Sequence, residues 1–348
     1  MEAFEYASPT SKQEAVALLS EQWGTAEVLA GGTDLLGLMK NYVATPKRVV
    51  SLREIKELRG IRETAEGVIV GAMSTLQELH DHKSIHEEFH SLAHAVGGIT
   101  SPQIRNMGTV GGDLCQRPRC WYYRNGFGLL GRDGKGQALV PGGDNRYHAI
   151  FGYEGGAYFV NASSLAPALV ALGAKVRVFG PKGQREVGVD EFFVAPRSES
   201  EHENALRANE ILTEIVIPGS SKGLRNETYE VRQREALDWP LATASVALRM
   251  EGMRVAAARI VMGHVAPIPW QAAGAAQALV GKSLDEETAK QAAEAAVQGA
   301  RPLSMNKYKV QLARVAVRRA LMAAAGGGKH SEMTLRPPSA DSGRGEGA

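Results

Sequence analysis

Residues 28–40 read "VLAGGTDLLGLMK" and residues 104–123 read "IRNMGTVGGDLCQRPRCWYY". Each sets a Gly-Gly pair in apolar sequence, with a threonine beside it (Thr33, Thr109) and an acid just after (Asp34, Asp113). A glycine pair after a strand lets a ligand oxygen approach the backbone, because no Cβ stands in the way. Successive exposed N–H groups then form an anion-binding concavity, and a threonine hydroxyl adds a donor. An acid is awkward beside phosphate unless it points at sugar hydroxyls or braces the loop. Two such turns on neighbouring units suit a dinucleotide, with its two phosphates and long span. A plainer reading needs the glycines only for turns with positive φ. Two better-known phosphate motifs are absent: Gly31, Gly32 and Gly37 lack the G-x-G-x-x-G spacing, and the "GKS" at 281–283 has Ala276 where a P-loop needs glycine.

Outward from the first turn, the segment 12–23 spaces Ala15, Leu18, Leu19 and Trp23 on one helical face. "AEVL", "KRVVSLREI" and "GVIVGAM" read as strands, and 74–98 as one or two helices. Residues 1–97 therefore form a small α/β lobe. From about 98 to 220, "AYFVN", "AKVRVFG", "REVGV" and "EILTEIVIP" are strand-like and "SSLAPALVALGA" is helical. The Gly-rich stretch Asn125–Asn145 has no period and reads as a long loop, a kind that is usually functional or mobile. Strands near 245–250 and 255–261, then Ala-rich helices at 271–280, 285–298 and 309–325, predict an α+β domain over 225–325. The end, 326–348, is rich in Gly, Pro and Ser and is expected to be disordered.

The 348 residues carry a net charge of +2, with 44% hydrophobic and 22% charged residues. That is the balance of a soluble globular chain without the basic face that nucleic-acid binding requires. No stretch has the length of a membrane span, and the acidic N-terminus lacks the pattern of a secretory signal. A cytoplasmic location is expected, with export alongside a signal-bearing partner as the alternative.

Taken together, "VLAGGTDLLGLMK", "IRNMGTVGGDL", "NEILTEIVIP" and "YEVRQREALDWPLA" occur in the order seen in the flavin-binding subunits of the molybdenum hydroxylases, and the chain resembles that family over about residues 1–325. The resemblance implies an α+β fold. It consists of a two-lobed FAD-binding domain over 1–220 (PCMH/vanillyl-alcohol-oxidase-like, lobes about 1–97 and 98–220), then a smaller C-terminal domain of antiparallel sheet plus helices. It implies FAD between the lobes with its pyrophosphate on the two glycine loops. Carried over by position, the FAD-binding residues are Val28, Leu29, Ala30, Gly31, Gly32, Thr33, Asp34 and Leu35, then Thr109, Val110, Gly111, Gly112 and Asp113, with Ser164 at the ribose and Leu212 beside the flavin ring. Ile99 falls near an apolar contact position.

Two departures stand out. Many relatives have Asp at the position of Ser164, and commonly Lys at that of Val231, where a cation would stabilise a reduced flavin. Arg232 and Arg234 are the candidates to replace it. The resemblance also implies electron transfer from [2Fe–2S] clusters of a small partner subunit to an external acceptor. A large molybdopterin-binding subunit would perform the substrate chemistry, so no catalytic residue is expected in this chain. A cofactor-free scaffold and a stand-alone flavin oxidase are the alternatives.

"LCQRPRCWYYRNG" resembles a branch of the family carrying an extra [4Fe–4S] cluster, which needs about four thiolates. With Cys115 and Cys120 alone, no iron–sulfur cluster is expected here. Cys115, Cys120 and His148 form a paper metal set short of the four ligands of structural zinc. Cys115 reads instead as a small buried residue or one near the flavin ring, and Trp121, Tyr122 and Tyr123 as core aromatics, a flavin shield or a partner face. The histidines 80, 82, 86, 90 and 94 are expected on a solvated helix, and His264 in a structural role.

Overall fold

The computed structural model describes residues 1–233 and 238–326, so the expected disordered tail lies outside the described residues beyond Gly326. Among the described residues, twelve strands make three sheets. The strands are β1 (Glu5–Ala7), β2 (Ala26–Leu29), β3 (Arg48–Ser51), β4 (Ile61–Thr64), β5 (Gly67–Gly71), β6 (Lys175–Gly180), β7 (Gly183–Gly188), β8 (Ile211–Pro218), β9 (Arg225–Val231), β10 (Ala242–Glu251), β11 (Arg254–Gly263) and β12 (Trp270–Gln271).

The first sheet is parallel, in the order β1-β3-β2, with Val28 opposite Val50. The second is antiparallel, in the order β4-β5-β8-β6-β7. This corrects the expected division at residue 97: β5, a sequence neighbour of the first sheet, pairs with β8, some 150 residues on, and β4 pairs with β5 at the sheet edge. The reason lies in the apolar texture of β5. "GVIVG" is buried at every position and needs cover on both faces, which a central place beside β8 supplies. Phe89, Leu92, Leu165, Ile215 and Ile217 are fully buried in the core beneath that sheet. The helical region 74–98 folds as three short helices rather than one or two, Leu76–Asp81, Lys83–Glu88 and His90–Gly97. A capping box at Thr75 and Glu78 starts the first. "AYFVN" forms no strand, and Asn161 N–H donates to the Ala266 carbonyl at 2.8 Å.

The third sheet, β12-β11-β10-β9, carries the helices Ala273–Leu279, Glu286–Ala296 and Tyr308–Ala325. Ala289, Ala292, Ala293 and Ala296 recur at helical spacing and are buried, as are Ala313, Ala316, Ala320 and Ala324. The two parts of the chain meet along β9. Asn226 accepts from Ser91 N (2.9 Å) and Oγ (2.8 Å) and donates to the Glu88 carbonyl (2.8 Å). Buried Glu227 meets His94 Nδ1 at 2.6 Å and His90 Nδ1 at 3.5 Å. Those histidines were expected to be solvated, and two of them instead join the domains.

Candidate functional site

Between the first sheet and the segment 109–124 lies an open cleft. Val28, Ala30, Gly31, Gly32, Thr33, Asp34 and Leu35 line it from one side, Thr109, Gly111 and Gly112 from another, and Leu212 from β8. Four of the residues expected at the site do not line it. Leu29, at the end of β2, is half-buried away from the cleft, although Glu27 and Val28 before it line that cleft. Val110 is buried in the core, Asp113 is buried on the helix that begins at Val110, and Ser164 is buried at the start of the helix Leu165–Ala171.

The two turns are built differently. Gly32 has φ +77°, which glycine alone adopts without strain, and a Cβ on Gly31 would collide with the Met107 carbonyl oxygen. In this turn the N–H groups of Gly31, Gly32, Thr33 and Asp34 have no hydrogen-bond acceptor among the described residues. That is a backbone nest suited to an anion. The second turn starts the helix Val110–Cys115 and uses its own donors. Val110 N–H bonds the Ser74 carbonyl (2.9 Å) and Gly111 N–H the Ala72 carbonyl (2.9 Å). Gly112 N–H bonds the capping Thr109 Oγ1 (3.0 Å). Gly111 is required because a Cβ there would stand 2.8 Å from that of Ala72. The expected pair of equivalent cradles is therefore one open nest beside one closely packed helix start.

Both acids brace loops. Asp34 accepts from Arg117 N–H (2.8 Å) and Arg124 Nη2 (2.7 Å), and Arg119 Nη1 lies 3.2 Å away. One carboxylate thus ties the first glycine turn to the segment 117–124. Asp113 accepts from Ser163 Oγ and from Gln116 Nε2 (2.9 Å), and burial raises its pKa to about 6. Buried Ser164 lies near Glu230, which is ion-paired with Arg232 at 2.5 Å. Arg232 is thereby engaged away from the cleft, and Arg234 lies outside the described residues.

The cleft also holds groups that no sequence motif announced. Trp23 stacks on His202 at 3.8 Å, and burial lowers His202 to about 4, so it is neutral at pH 7. Half-buried Arg117 is in ion-pair contact with Glu203, and burial raises the pKa of both Glu203 and Glu27 against the lowering effect of Arg117. The sequence offers no signal for this cluster, because its members are joined only by folding. Cys115 lines the cleft as a thiol, pushed up to about 12 by burial. Cys120 Sγ instead contacts His148 Nε2 at 3.2 Å, and among the described residues no group of three potential ligands could hold a metal ion.

A nest beside a long cleft, followed by a sheet-and-helix domain, defines a flavoprotein module. The model of the FAD-binding domain in molybdopterin dehydrogenase matches residues 2–220, and that of the CO dehydrogenase flavoprotein C-terminal domain matches 227–324. The carbon monoxide dehydrogenase medium chain of Hydrogenophaga pseudoflava is 32% identical over 92% of this chain and 96% of its own length. The aldehyde oxidoreductase FAD-binding subunit PaoB of Escherichia coli is 28% identical over 90% and 96%. The carbon monoxide dehydrogenase structure from H. pseudoflava superposes with a TM-score of 0.74 over 93% of this chain and 98% of its counterpart, at 31% identity. The chain belongs to the family of FAD-binding medium subunits of the molybdopterin dehydrogenases. Its homologues are subunits of oxidoreductases. Among the described residues no helix is long and apolar enough to cross a membrane.

Proposed function

We propose that this chain is the electron-carrying flavoprotein of a molybdopterin-dependent hydroxylase. It receives electrons from [2Fe–2S] clusters on a small partner subunit and delivers them to an external acceptor. A large molybdopterin-binding partner oxidises the organic substrate, an aldehyde or N-heterocycle. The observation that carries this reading is the unpaired run of N–H groups from Gly31 to Asp34 at the cleft. These donors would hold the pyrophosphate of FAD, with the Thr33 hydroxyl beside them.

Gly111 and Gly112 give the cofactor close access to the backbone from the opposite side, and Leu212 supplies an apolar contact. Thr109 acts indirectly, by keeping that helix start closed. When bound, FAD supplies one- and two-electron transfer, while the protein positions it and tunes its potential. Neither Asp113 nor Ser164 contacts FAD in this reading; Asp113 fixes the wall on which the cofactor rests. The chain carries no iron–sulfur cluster of its own.

The test is the visible spectrum of the purified chain, with mass identification of any released cofactor and an iron assay. One FAD per chain, no iron and no aldehyde turnover without partner subunits is the expected result. Turnover by the isolated chain would overturn the electron-transfer role, and failure to bind added FAD would leave a scaffold.

A further inference from the structure

A second cavity has Arg119 in its wall, and Arg119 also pairs with Asp34 of the first cleft. Its sides are aromatic, from Trp121, Tyr147, Phe159 and Trp239. His264 also lines it, only 2% exposed. His264 and Tyr42 are the two non-glycine residues with positive φ among those described, His264 at 61°. Strain of this kind persists where the surroundings over-determine it, and it concentrates at functional sites. Here His264 Nδ1 bonds Thr243 Oγ1 at 3.0 Å, and the His264 carbonyl accepts from Lys309 Nζ at 2.6 Å. Its Nε2 makes no hydrogen bond, although the Ala162 carbonyl stands in its neighbourhood. With Thr243 donating to Nδ1, the ring proton sits on Nε2, a buried donor in need of an acceptor.

The basic side chains around the cavity are already engaged, and Asp238 stands at its exposed edge. Lys309 donates to the carbonyls of Tyr147 (3.2 Å), His148 (3.1 Å) and His264. Arg119 lies over the Trp239 ring at 4.6 Å and pairs with Asp34. Burial keeps His264, at about 3, and His148, at about 4, neutral at pH 7. The cavity therefore has aromatic walls and buried nitrogens without a hydrogen-bond partner at His264 Nε2, His148 Nδ1 and Arg119 Nε, while its Lys309 and Arg119 groups are held by the protein.

We propose that this second cavity is a binding site for a neutral planar aromatic compound with an acceptor oxygen, of the quinone or phenol type, which takes the hydrogen bond of His264 Nε2. The reading is independent of how FAD is held. The experiment is isothermal titration of the full-length chain with menadione and, separately, with 2-naphthol. At least one should bind one to one; preference for menadione assigns a quinone and preference for 2-naphthol a phenol. Trp239→Ala, at a residue 43% exposed, should weaken binding by about tenfold through loss of one aromatic wall. Ala162→Phe, which fills the cavity, should abolish it. Should the buried Ala162 variant not fold, the Trp239 variant decides alone. Binding of neither probe, or binding that Trp239→Ala leaves unchanged, overturns the proposal.

Discussion

At Gly31–Asp34 four consecutive N–H groups stand without an acceptor in a stretch that lines the cleft, whereas at Thr109–Asp113 the corresponding donors are used up in a helix start. The glycines are needed in both places, for opposite reasons. In the first turn they keep the backbone open and left-handed, with Met107 pressed against Gly31. In the second they let a helix sit on Ala72. A repeated Gly-Gly is thus evidence of close approach, and only the hydrogen bonds around it say whether a ligand or the protein itself makes that approach.

The largest expected effect is that of Gly31→Ala. Its new Cβ meets a backbone carbonyl that cannot swing aside, so a loss of about 3 kcal/mol in urea-denaturation stability is expected, together with loss of FAD binding. A variant with wild-type stability would show that the two turns are not in contact.

Next comes the acid behind the second turn. Burial raises Asp113 from 3.8 to about 6, so the folded chain holds this proton more tightly than the unfolded one. Its contribution is full below about pH 4 and is lost as the pH rises to about 6. Asp113→Asn should flatten that part of the stability profile, gaining about 2 kcal/mol on the wild type between the two ends of the window. Parallel profiles for the two proteins would mean that Asp113 ionises freely.

The smallest effects separate the turns most sharply. Thr109→Ala removes the cap and should cost about 1 kcal/mol of stability. Thr33 is exposed and its hydroxyl makes no hydrogen bond among the described residues, so Thr33→Ala should change stability by less than about 0.5 kcal/mol. Its effect should fall on FAD affinity instead. Measured side by side, the pair should cross over; equal losses of stability would erase the distinction drawn here.

The strands were largely legible because their residues signal burial locally: β5, β6, β8, β10 and β11 all lie where apolar runs predicted them. Membership of a sheet was not, since β5 pairs with β8 through contacts that periodicity cannot express. The glycine-turn residues of the cleft were legible as a pattern. What escaped was everything decided by hydrogen bonds across distance. Asp34 reaches a segment more than eighty residues away, Asp113 points to Ser163, and Arg117, Glu203 and Glu27 gather from three separate stretches. Val110 and Leu29 illustrate the finer limit: within a correctly placed turn, neighbouring side chains differ in whether they reach the cleft.

The seam along β9 bears on how the molecule comes apart. Asn226 and Glu227 are held by groups on the short helices 83–97, so those helices rest on a strand that arrives more than a hundred residues later. Cutting the chain near residue 220 would strip these partners away and wet the helix face that carries Ser91. Despite its three sheets, the protein should then melt in one cooperative step, with no stable fragment surviving to mark a domain boundary.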